Sequence, residues 1–515
     1  MEKEGIISME NAWQPMGKGV ITEAYQHNLS LIRAASRAEQ SEDVHIHEFM
    51  ILGHPAAMLY IDGMVNDNNV QRFLLLPALK APALPENTEL ADHLIQTVLP
   101  IGSVEQTFQL TTLLTRVFSG DAALICDTMP GALIADMKGF VKRIPGQPVN
   151  ETVVIGPHEG FNESLRDNVV LIRRLMRTPA LISEAVTVGN KIPTRLCLLY
   201  LDGIARKENV DEIKRRIAGC NVDYVSSSGM LEQLIEDKPY SLLPQAASTE
   251  RPDRAVSFIT EGQIVILMEN SPQALAVPMG FMHLFHAPDD TNMRWQYGTF
   301  LRLLRLSGLL IALLLPAVFV SLAMFHPEGM SLSLLTSVLE TQAKVPLSLF
   351  TSMLLVLLIF SLINEAGVRV PGAMGGSLSI VSGLILGQAA VDADLFSPLV
   401  IIVVAVSGLG SYAVPSFSLT LSLRIAQLFL VLASGIAGYL GLTLGLFFLL
   451  IRAAGLTSIH HPYFAPAAPR RPANPDQVIR MPVWRQRLRG GIANPFHMNR
   501  SLGRMRTREK QKEDK

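Results

Sequence analysis

The sequence predicts an α/β N-terminal region of two related subdomains, followed by an α-helical multispan membrane domain. Two observations support this fold class. Short apolar, strand-like runs recur at a nearly constant offset within the first 300 residues. Hydrophobic residues make up 49% of the 515-residue chain, the mean hydropathy is +0.30, and the apolar residues concentrate between positions 306 and 451. This distribution excludes a wholly soluble enzyme, a disordered chain and a protein embedded in the membrane throughout.

The charge is balanced overall but unevenly distributed. The chain has 44 Lys and Arg against 45 Asp and Glu, a formal net charge of -1. Residues 470–515 carry about 13 basic and about 4 acidic side chains, so the remainder is acidic. A basic tail that directly follows a membrane span is expected to bind anionic lipid rather than nucleic acid.

We expect five segments along the chain. They are a polar N-terminal extension (1–48), a first α/β subdomain (49–148), a second α/β subdomain with a linking helix (149–300), a transmembrane domain (303–453) and a basic cytoplasmic tail (466–515). The acidic, polar first residues do not resemble a signal peptide, so the α/β region is expected to stay in the cytoplasm. Three widely spaced cysteines predict neither a disulfide framework nor a metal knuckle.

The internal repeat rests on two matched pairs of segments. Leu59–Gly63 (LYIDG) recurs as Leu199–Gly203 (LYLDG), and Gly120–Ile125 (GDAALI) is matched by Gly262–Leu267 (GQIVIL). The offsets are 140 and 142 residues. Two pairs at nearly one offset predict two related units. The aspartate of each Asp-Gly pair is expected to form a turn.

A helix that begins after Gly156 links the two units. One face of this helix is apolar and the other is basic. The basic face is either a solvated surface or a contact between subdomains or subunits, where its arginines pair with carboxylates. The candidate contact residues are Glu159, Glu163, Arg166, Arg173 and Arg174.

The apolar stretches of the membrane part predict about four crossings plus a short re-entrant segment. Stretches of about 20 apolar residues are long enough to span a bilayer, whereas the short, glycine-rich 377–391 stretch suits a re-entrant or broken segment. Lys and Arg flank the first and last spans, so both ends are expected in the cytoplasm and the number of full crossings should be even. The predicted spans are Leu306–Phe325, Val345–Ile363, Leu395–Leu423 and Ile425–Ile451.

Small residues recur every fourth position in two stretches of the membrane part. Such stripes let helices approach closely in lipid, either within one chain or between subunits. The candidate packing residues are Ser379, Gly383, Gly387, Ala433, Ala437, Gly441 and Gly445.

Three carboxylates at membrane depth or at its edge are candidates for an ion path. Glu365 follows the second span, and Asp392 and Asp394 precede the third. Ionisable residues in this position commonly face an aqueous path, where a ring of carboxylates favours cations. The alternative for Glu365 is a pair with Arg369 at the level of the lipid headgroups.

Motifs of soluble catalysis are absent from the sequence. It contains no GxxxxGK[ST] phosphate loop, no HExxH zinc motif and no GxSxG nucleophile turn. The His45/His47 and His460/His461 pairs have no cysteine or carboxylate at ligand spacing. We therefore expect no enzyme activity, no cofactor and no bound metal.

Six segments together resemble the A subunits of GerA-type spore germination receptors. The order and spacing of these segments agree with the family from about residue 150 to about residue 465. They are Gly156–Arg174, Leu199–Ile204, Glu365–Pro371, Gly387–Val391, Ser397–Ala405 and Pro415–Thr420.

The resemblance implies an integral protein of the spore inner membrane whose α/β region and tail are cytoplasmic. It implies a nutrient receptor with a transporter-like B subunit and a lipoprotein C subunit, in which the A subunit oligomerises into a ligand-gated channel for monovalent cations. Three alternatives stay open: an accessory protein similar to stage V sporulation protein AF, a non-conducting scaffold, and a secondary transporter. The transporter is less favoured, because the detectable repeat lies in the soluble half rather than in the membrane half.

Overall fold

The computed structural model describes residues 19–85, 88–139, 146–148, 150–153, 155–369, 387–474 and 476–500, without the side chains of residues 368 and 369. The first unit contains a five-stranded, fully antiparallel sheet with strand order β1-β2-β4-β5-β3. Its elements are α1 (Tyr25–Ser36), β1 (Val44–Ile51), β2 (His54–Ile61), helical turns over 67–79 and 90–98, β3 (Val104–Thr107), α2 (Leu110–Val117), β4 (Ala122–Cys126) and β5 (Ala132–Ala135).

The second unit repeats this topology with strand order β6-β7-β9-β10-β8, again fully antiparallel. Both sheets are covered by amphipathic helices whose apolar residues pack on the central strands. The predicted fold class of two related α/β subdomains is therefore confirmed. The elements of the second unit are α3 (Leu165–Leu175), β6 (Leu181–Val188), β7 (Thr194–Leu201), α4 (Lys207–Ala218), α5 (Ser228–Ile235), β8 (Ala247–Thr249), α6 (Pro252–Thr260), β9 (Ile264–Met268) and β10 (Ala274–Val277).

The duplication extends to individual hydrogen bonds. In the first unit the buried Asn28 side chain accepts from the Thr22 amide at 2.9 Å and donates to the Thr22 carbonyl at 2.6 Å. In the second unit the buried Asn168 makes the same pair with Asn162, at 2.9 and 2.7 Å. Each asparagine satisfies the backbone where the chain enters the first helix of its unit, a site where backbone groups lack helical partners.

The first unit begins earlier than residue 49. β1 starts at Val44, and α1 buries Tyr25, Leu29 and Ile32 against the sheet. These three residues recur at helical spacing and form an apolar stripe within an otherwise polar stretch. Residues 19–48, predicted to belong to a polar extension, are thus part of the first unit.

Among the described residues, the membrane domain includes five helices of more than ten residues. Three of them are long and apolar enough to cross a membrane: Trp295–Phe325, Leu349–Gly367 and Phe417–Ala454. The chain is accordingly a membrane protein. The helices are α7 (Trp295–Phe325), α8 (Leu332–Lys344), α9 (Leu349–Arg369), α10 (Pro398–Tyr412) and α11 (Phe417–Ala454).

Helix α11 is folded back on itself at Ala437 and Gly438. Gly438 has φ 56° and ψ -137°, a conformation accessible essentially to glycine alone. On either side of it, the rings of Phe429 and Phe448 lie 5.9 Å apart. The single predicted span Ile425–Ile451 is therefore two antiparallel arms of a helical hairpin.

Contacts at its tip and its ends show how this hairpin crosses the bundle. Gly438, at the tip, packs on Phe325 at the far end of α7. The Ser422 hydroxyl donates to the Leu242 carbonyl, and the Lys238 ammonium donates to the Gly455 carbonyl. Both arms thus reach from the second α/β unit to the far side of the bundle, so the chain enters and leaves the membrane domain on the same side.

Candidate functional site

The junction between the second unit and the membrane domain contains a buried cluster of charges. Asp290, 1% exposed, accepts from Arg302 at 3.2 Å and from Arg305 at 2.8 Å. Arg302, 4% exposed, also donates to Asp476 of the tail at 2.7 Å. Arginine forks that share a desolvated carboxylate form charge-assisted hydrogen bonds of fixed geometry. The first turns of α7 are therefore held to both the segment that follows β10 and the tail.

Two histidines with half-buried side chains line the same junction. Burial lowers the pKa of His283 to about 3 and that of His286 to about 4, so both are neutral at pH 7. His286 Nε2 lies 2.8 Å from the carbonyl oxygen of Gln477, and its ring therefore contacts the tail. Neutral imidazoles contribute packing and directional hydrogen bonds to the junction without adding further positive charge beside Arg302.

The tail is folded onto the second unit up to residue 500. Tyr463 is fully buried and donates to the Pro244 carbonyl at 2.7 Å, and Ile492 and Ala493 are buried as well. Phe496 donates its amide to the Ile204 carbonyl at 2.9 Å. The expected lipid-bound tail therefore differs from the structure over 466–500, where much of the tail packs on protein. Residues 501–515 lie outside the described part of the chain.

A proline in α7 frees a carbonyl that a polar side chain then satisfies. Pro316 has no amide hydrogen, so the Ala312 carbonyl loses its partner within the helix. The Ser407 hydroxyl of α10 donates to this carbonyl at 3.1 Å, and Gln427 of α11 donates to Ser407 at 2.5 Å. The bundle thus joins three helices through one short polar chain at a point where α7 is locally weakened.

The predicted contact residues of the linking helix mostly face the first unit. Arg166 donates to Asp62 at 2.5 Å and to Asp67 at 2.7 Å. Arg173, 1% exposed, pairs with Asp43 at 2.5 Å. These two arginines join the two units through carboxylates, one of the two interpretations left open by the sequence.

The remaining three candidates, Glu159, Glu163 and Arg174, make different contacts. Arg174 lies 3.6 Å from Glu159 in a half-exposed pair. The side chain of Glu163 is exposed, and its backbone carbonyl accepts from the Asn270 amide at 2.8 Å. Asp202, predicted as a turn residue, also pairs with Arg37 of the first unit at 2.8 Å.

The three ion-path candidates do not lie together. Glu365 is exposed near the domain end of the bundle, where its neighbour Asn364 accepts from Tyr412 at the end of α10. Asp392 and Asp394 are exposed just before α10 begins, at the opposite end of that helix. The side chain of Arg369, the alternative partner of Glu365, lies outside the described residues.

The small-residue stripes pack within the chain where the structure describes them. A Cβ at Gly441 would lie 1.9 Å from the Ala433 carbonyl oxygen, and one at Gly445 would lie 3.1 Å from Leu430. Together with Ala437 at the bend, these positions close the hairpin of α11. A Cβ at Gly387 would meet no atom within 4 Å, and Ser379 and Gly383 lie outside the described residues.

Arg302 and Arg305 belong to the basic flank of the first span, and their acidic partners were not predicted from the sequence. Asp290 lies 12 and 15 positions before them, and Asp476 is more than 170 positions away. The available signal was a pair of arginines opening an apolar helix shortly after an Asp-Asp pair. Two arginines that are buried at the start of an apolar helix require nearby carboxylates to compensate their charge.

Comparison with known proteins gives a consistent result. The family model described as Bacillus/Clostridium GerA spore germination protein matches residues 32–492. Spore germination protein B1 of Bacillus subtilis is 33% identical over 89% of this chain and 95% of its own. Spore germination protein GerLA of Bacillus cereus is 32% identical over 85% of this chain and 90% of its own.

A further relative and a solved structure are also similar. Spore germination protein KA of Bacillus subtilis is 32% identical over 83% of this chain and 79% of its own. The crystal structure of the N-terminal domain of the A subunit of the Bacillus megaterium spore germinant receptor GerK3 is 27% identical, with a TM-score of 0.40. It covers 52% of this chain and 98% of that one.

Proposed function

The chain belongs to the GerA family of spore germination proteins, and from this premise we propose that it is the A subunit of a nutrient germinant receptor that triggers germination. The observation that carries the proposal is the junction. Because Asp290 holds Arg302 and Arg305 in a desolvated cluster, a displacement of the α/β region is transmitted to α7 rather than absorbed by a flexible linker. A subunit that converts a cytoplasmic or partner signal into a membrane response needs this kind of connection.

In the proposed receptor the subunit oligomerises into a ligand-gated channel for monovalent cations. Two observations support this channel proposal. The outer faces of the membrane helices are apolar and suit lipid or neighbouring subunits, and the Glu365 carboxylate is exposed at the domain end of the bundle. A ring of such carboxylates would concentrate cations at a pore mouth. Asp392 and Asp394 would contribute at the other end.

The proposed setting is the spore inner membrane, with the α/β region and the tail in the cytoplasm. Arg302, Arg305 and Arg452 lie on the α/β side of the bundle, which supports this orientation under the positive-inside rule. The proposed partners are a transporter-like B subunit and a lipoprotein C subunit. Anionic lipid remains a proposed partner for exposed arginines of the tail such as Arg485 and Arg487.

Deletion of the gene in its spore-forming host tests the receptor role. We expect deletion spores to lose the release of potassium in response to one class of nutrient, and a wild-type copy to restore it. An Asp290→Asn copy should restore it poorly although the protein is present, while a Glu208→Gln copy, changed on an exposed face of α4, should restore it fully. Unaltered germination with every nutrient, but defective spore formation, would instead favour the accessory sporulation protein.

A further inference from the structure

Arg480 is a buried cation without an ionic partner among the described residues. Its side chain is 4% exposed, one guanidinium nitrogen donates to the Thr291 carbonyl at 3.3 Å, and its Nε has no hydrogen-bond partner. Desolvation lowers its pKa, because burial disfavours the charged form. A guanidinium is costly to bury unless carboxylates or other anions pair with it.

Arg480 lines a cavity of about 380 Å³ between the second unit, the start of α7 and the tail. The other arginines of this wall already have carboxylate partners. Arg302 pairs with Asp290 and Asp476, Arg254 with Glu151, and Arg500 with Glu261 at 3.5 Å. Arg480 is thus the arginine of the described cavity wall that forms no salt bridge of its own, although Asp476 and Asp290, which pair with Arg302, attract its charge.

We propose that this cavity binds a small oxyanion, a phosphate or carboxylate group, through the guanidinium of Arg480. A planar guanidinium fork matches the spacing of two oxygens on such a group. The volume lies within the range of small-molecule sites. The group belongs either to a free small molecule or to the headgroup of an anionic lipid, since the cavity adjoins the first turns of a membrane helix.

Packing around Arg480 explains how occupancy would act on the membrane domain. The side chain lies against Gly298 of α7, where a Cβ would meet Arg480 Cδ at 2.5 Å. Its own carbonyl accepts from Thr299 of α7 at 3.3 Å. An anion on Arg480 would therefore fix the tail against the first turns of α7. The inference concerns binding only and does not depend on channel activity.

The test uses the full-length protein in phosphatidylcholine nanodiscs, titrated with inorganic phosphate at constant ionic strength. We expect phosphate to raise the melting temperature of the wild type, and Arg480→Gln to weaken apparent phosphate affinity at least tenfold. Arg215→Gln, at an exposed arginine on α4 of the second unit, is the matched control and should retain the response. Arg480→Lys keeps the positive charge but lacks the planar guanidinium, and it should bind phosphate with intermediate affinity. This variant still tests the proposal if Arg480→Gln does not fold.

A second arm distinguishes the two sources of the group. If a lipid headgroup is the ligand, nanodiscs containing phosphatidylglycerol stabilise the wild type strongly, Arg480→Lys less and Arg480→Gln not at all, and free phosphate then adds little. If a free anion is the ligand, the phosphate response is the same in both lipids. The proposal is overturned when neither probe stabilises the wild type, or when the Arg480 variants respond as the wild type does.

Discussion

At the residue scale, two neighbouring arginines of the linking helix illustrate how burial determines the contribution of an ion pair to stability. Arg173 donates to Asp43 through two nitrogens, at 2.5 and 2.8 Å, and its guanidinium also lies 5.5 Å from the centre of the Phe118 ring. Arg174, the next residue, has a side chain 36% exposed and lies 3.6 Å from Glu159. Removing one partner of a buried pair strands the other charge, whereas water readily replaces an exposed partner.

We therefore expect Arg173→Met to lower the free energy of unfolding by about 3–5 kcal/mol. Arg174→Met should cost less than about 1 kcal/mol. Denaturant unfolding of the full chain in detergent measures both. The double variant Arg173→Met with Asp43→Leu should recover much of the loss, because it removes both buried charges. Equal effects of the two single variants would contradict the assignment.

Glu236 gives the α/β region a predictable pH dependence. Burial, followed by the neighbouring charges of Glu232 and Asp237, raises the pKa of this half-buried carboxyl from 4.5 to about 7. A raised carboxyl pKa means that the folded protein holds the proton more tightly than the unfolded chain. Its contribution to stability is thus fully present below pH 4.5 and is lost as the pH rises through about 7.

Glu236→Gln, which imitates the protonated acid, should accordingly melt at a higher temperature than the wild type at pH 8 and at the same temperature below pH 4.5. Melting curves of the full chain in detergent across this range measure the difference. Glu208→Gln, on an exposed helix face, serves as the control and should show no such divergence. A difference that is constant with pH would exclude titration of Glu236 as its source.

At the element scale, α11 shows where a sequence pattern stops being informative. Residues 425–451 form one uncharged run, which hydropathy alone interprets as one span. The fold-back depends on Gly438 in a left-handed conformation and on its packing against Phe325, more than 110 positions earlier. Glycines are frequent throughout this membrane part, so a single one carries no distinct signal.

Spin labels at the exposed positions Leu421 and Ile451 test the hairpin directly. A continuous helix would separate these positions by about 45 Å, since each residue adds about 1.5 Å. Packed arms have axes about 8–10 Å apart, so the labels should be within roughly 25 Å of each other. Double electron–electron resonance on the full chain in nanodiscs measures this distance, and labels at Leu421 and Leu432, on one arm, provide the control for a straight helix.

At the scale of the whole molecule, the duplicated α/β unit and the apolar membrane part could be predicted from the sequence. The contacts between distant segments could not. The Asp-Gly offset revealed the duplicated unit because both copies keep the same turn after β2 and β7. The packing of the tail was not predicted, because its net charge conceals the few apolar residues, such as Ile492 and Ala493, that are buried against the second unit. The junction cluster combines residues from a loop, a membrane helix and the tail, and no local pattern links them.

The measurement that tests the central claim most directly is the cation current of the purified receptor, with its partner subunits, in planar bilayers. The account predicts a nutrient-dependent, cation-selective current whose reversal potential shifts toward that of a non-selective pore in Glu365→Gln. Glu340→Gln, an exposed glutamate on α8, should leave the reversal potential unchanged. No current in any nutrient condition from a correctly assembled receptor would contradict the account and leave the protein a non-conducting scaffold.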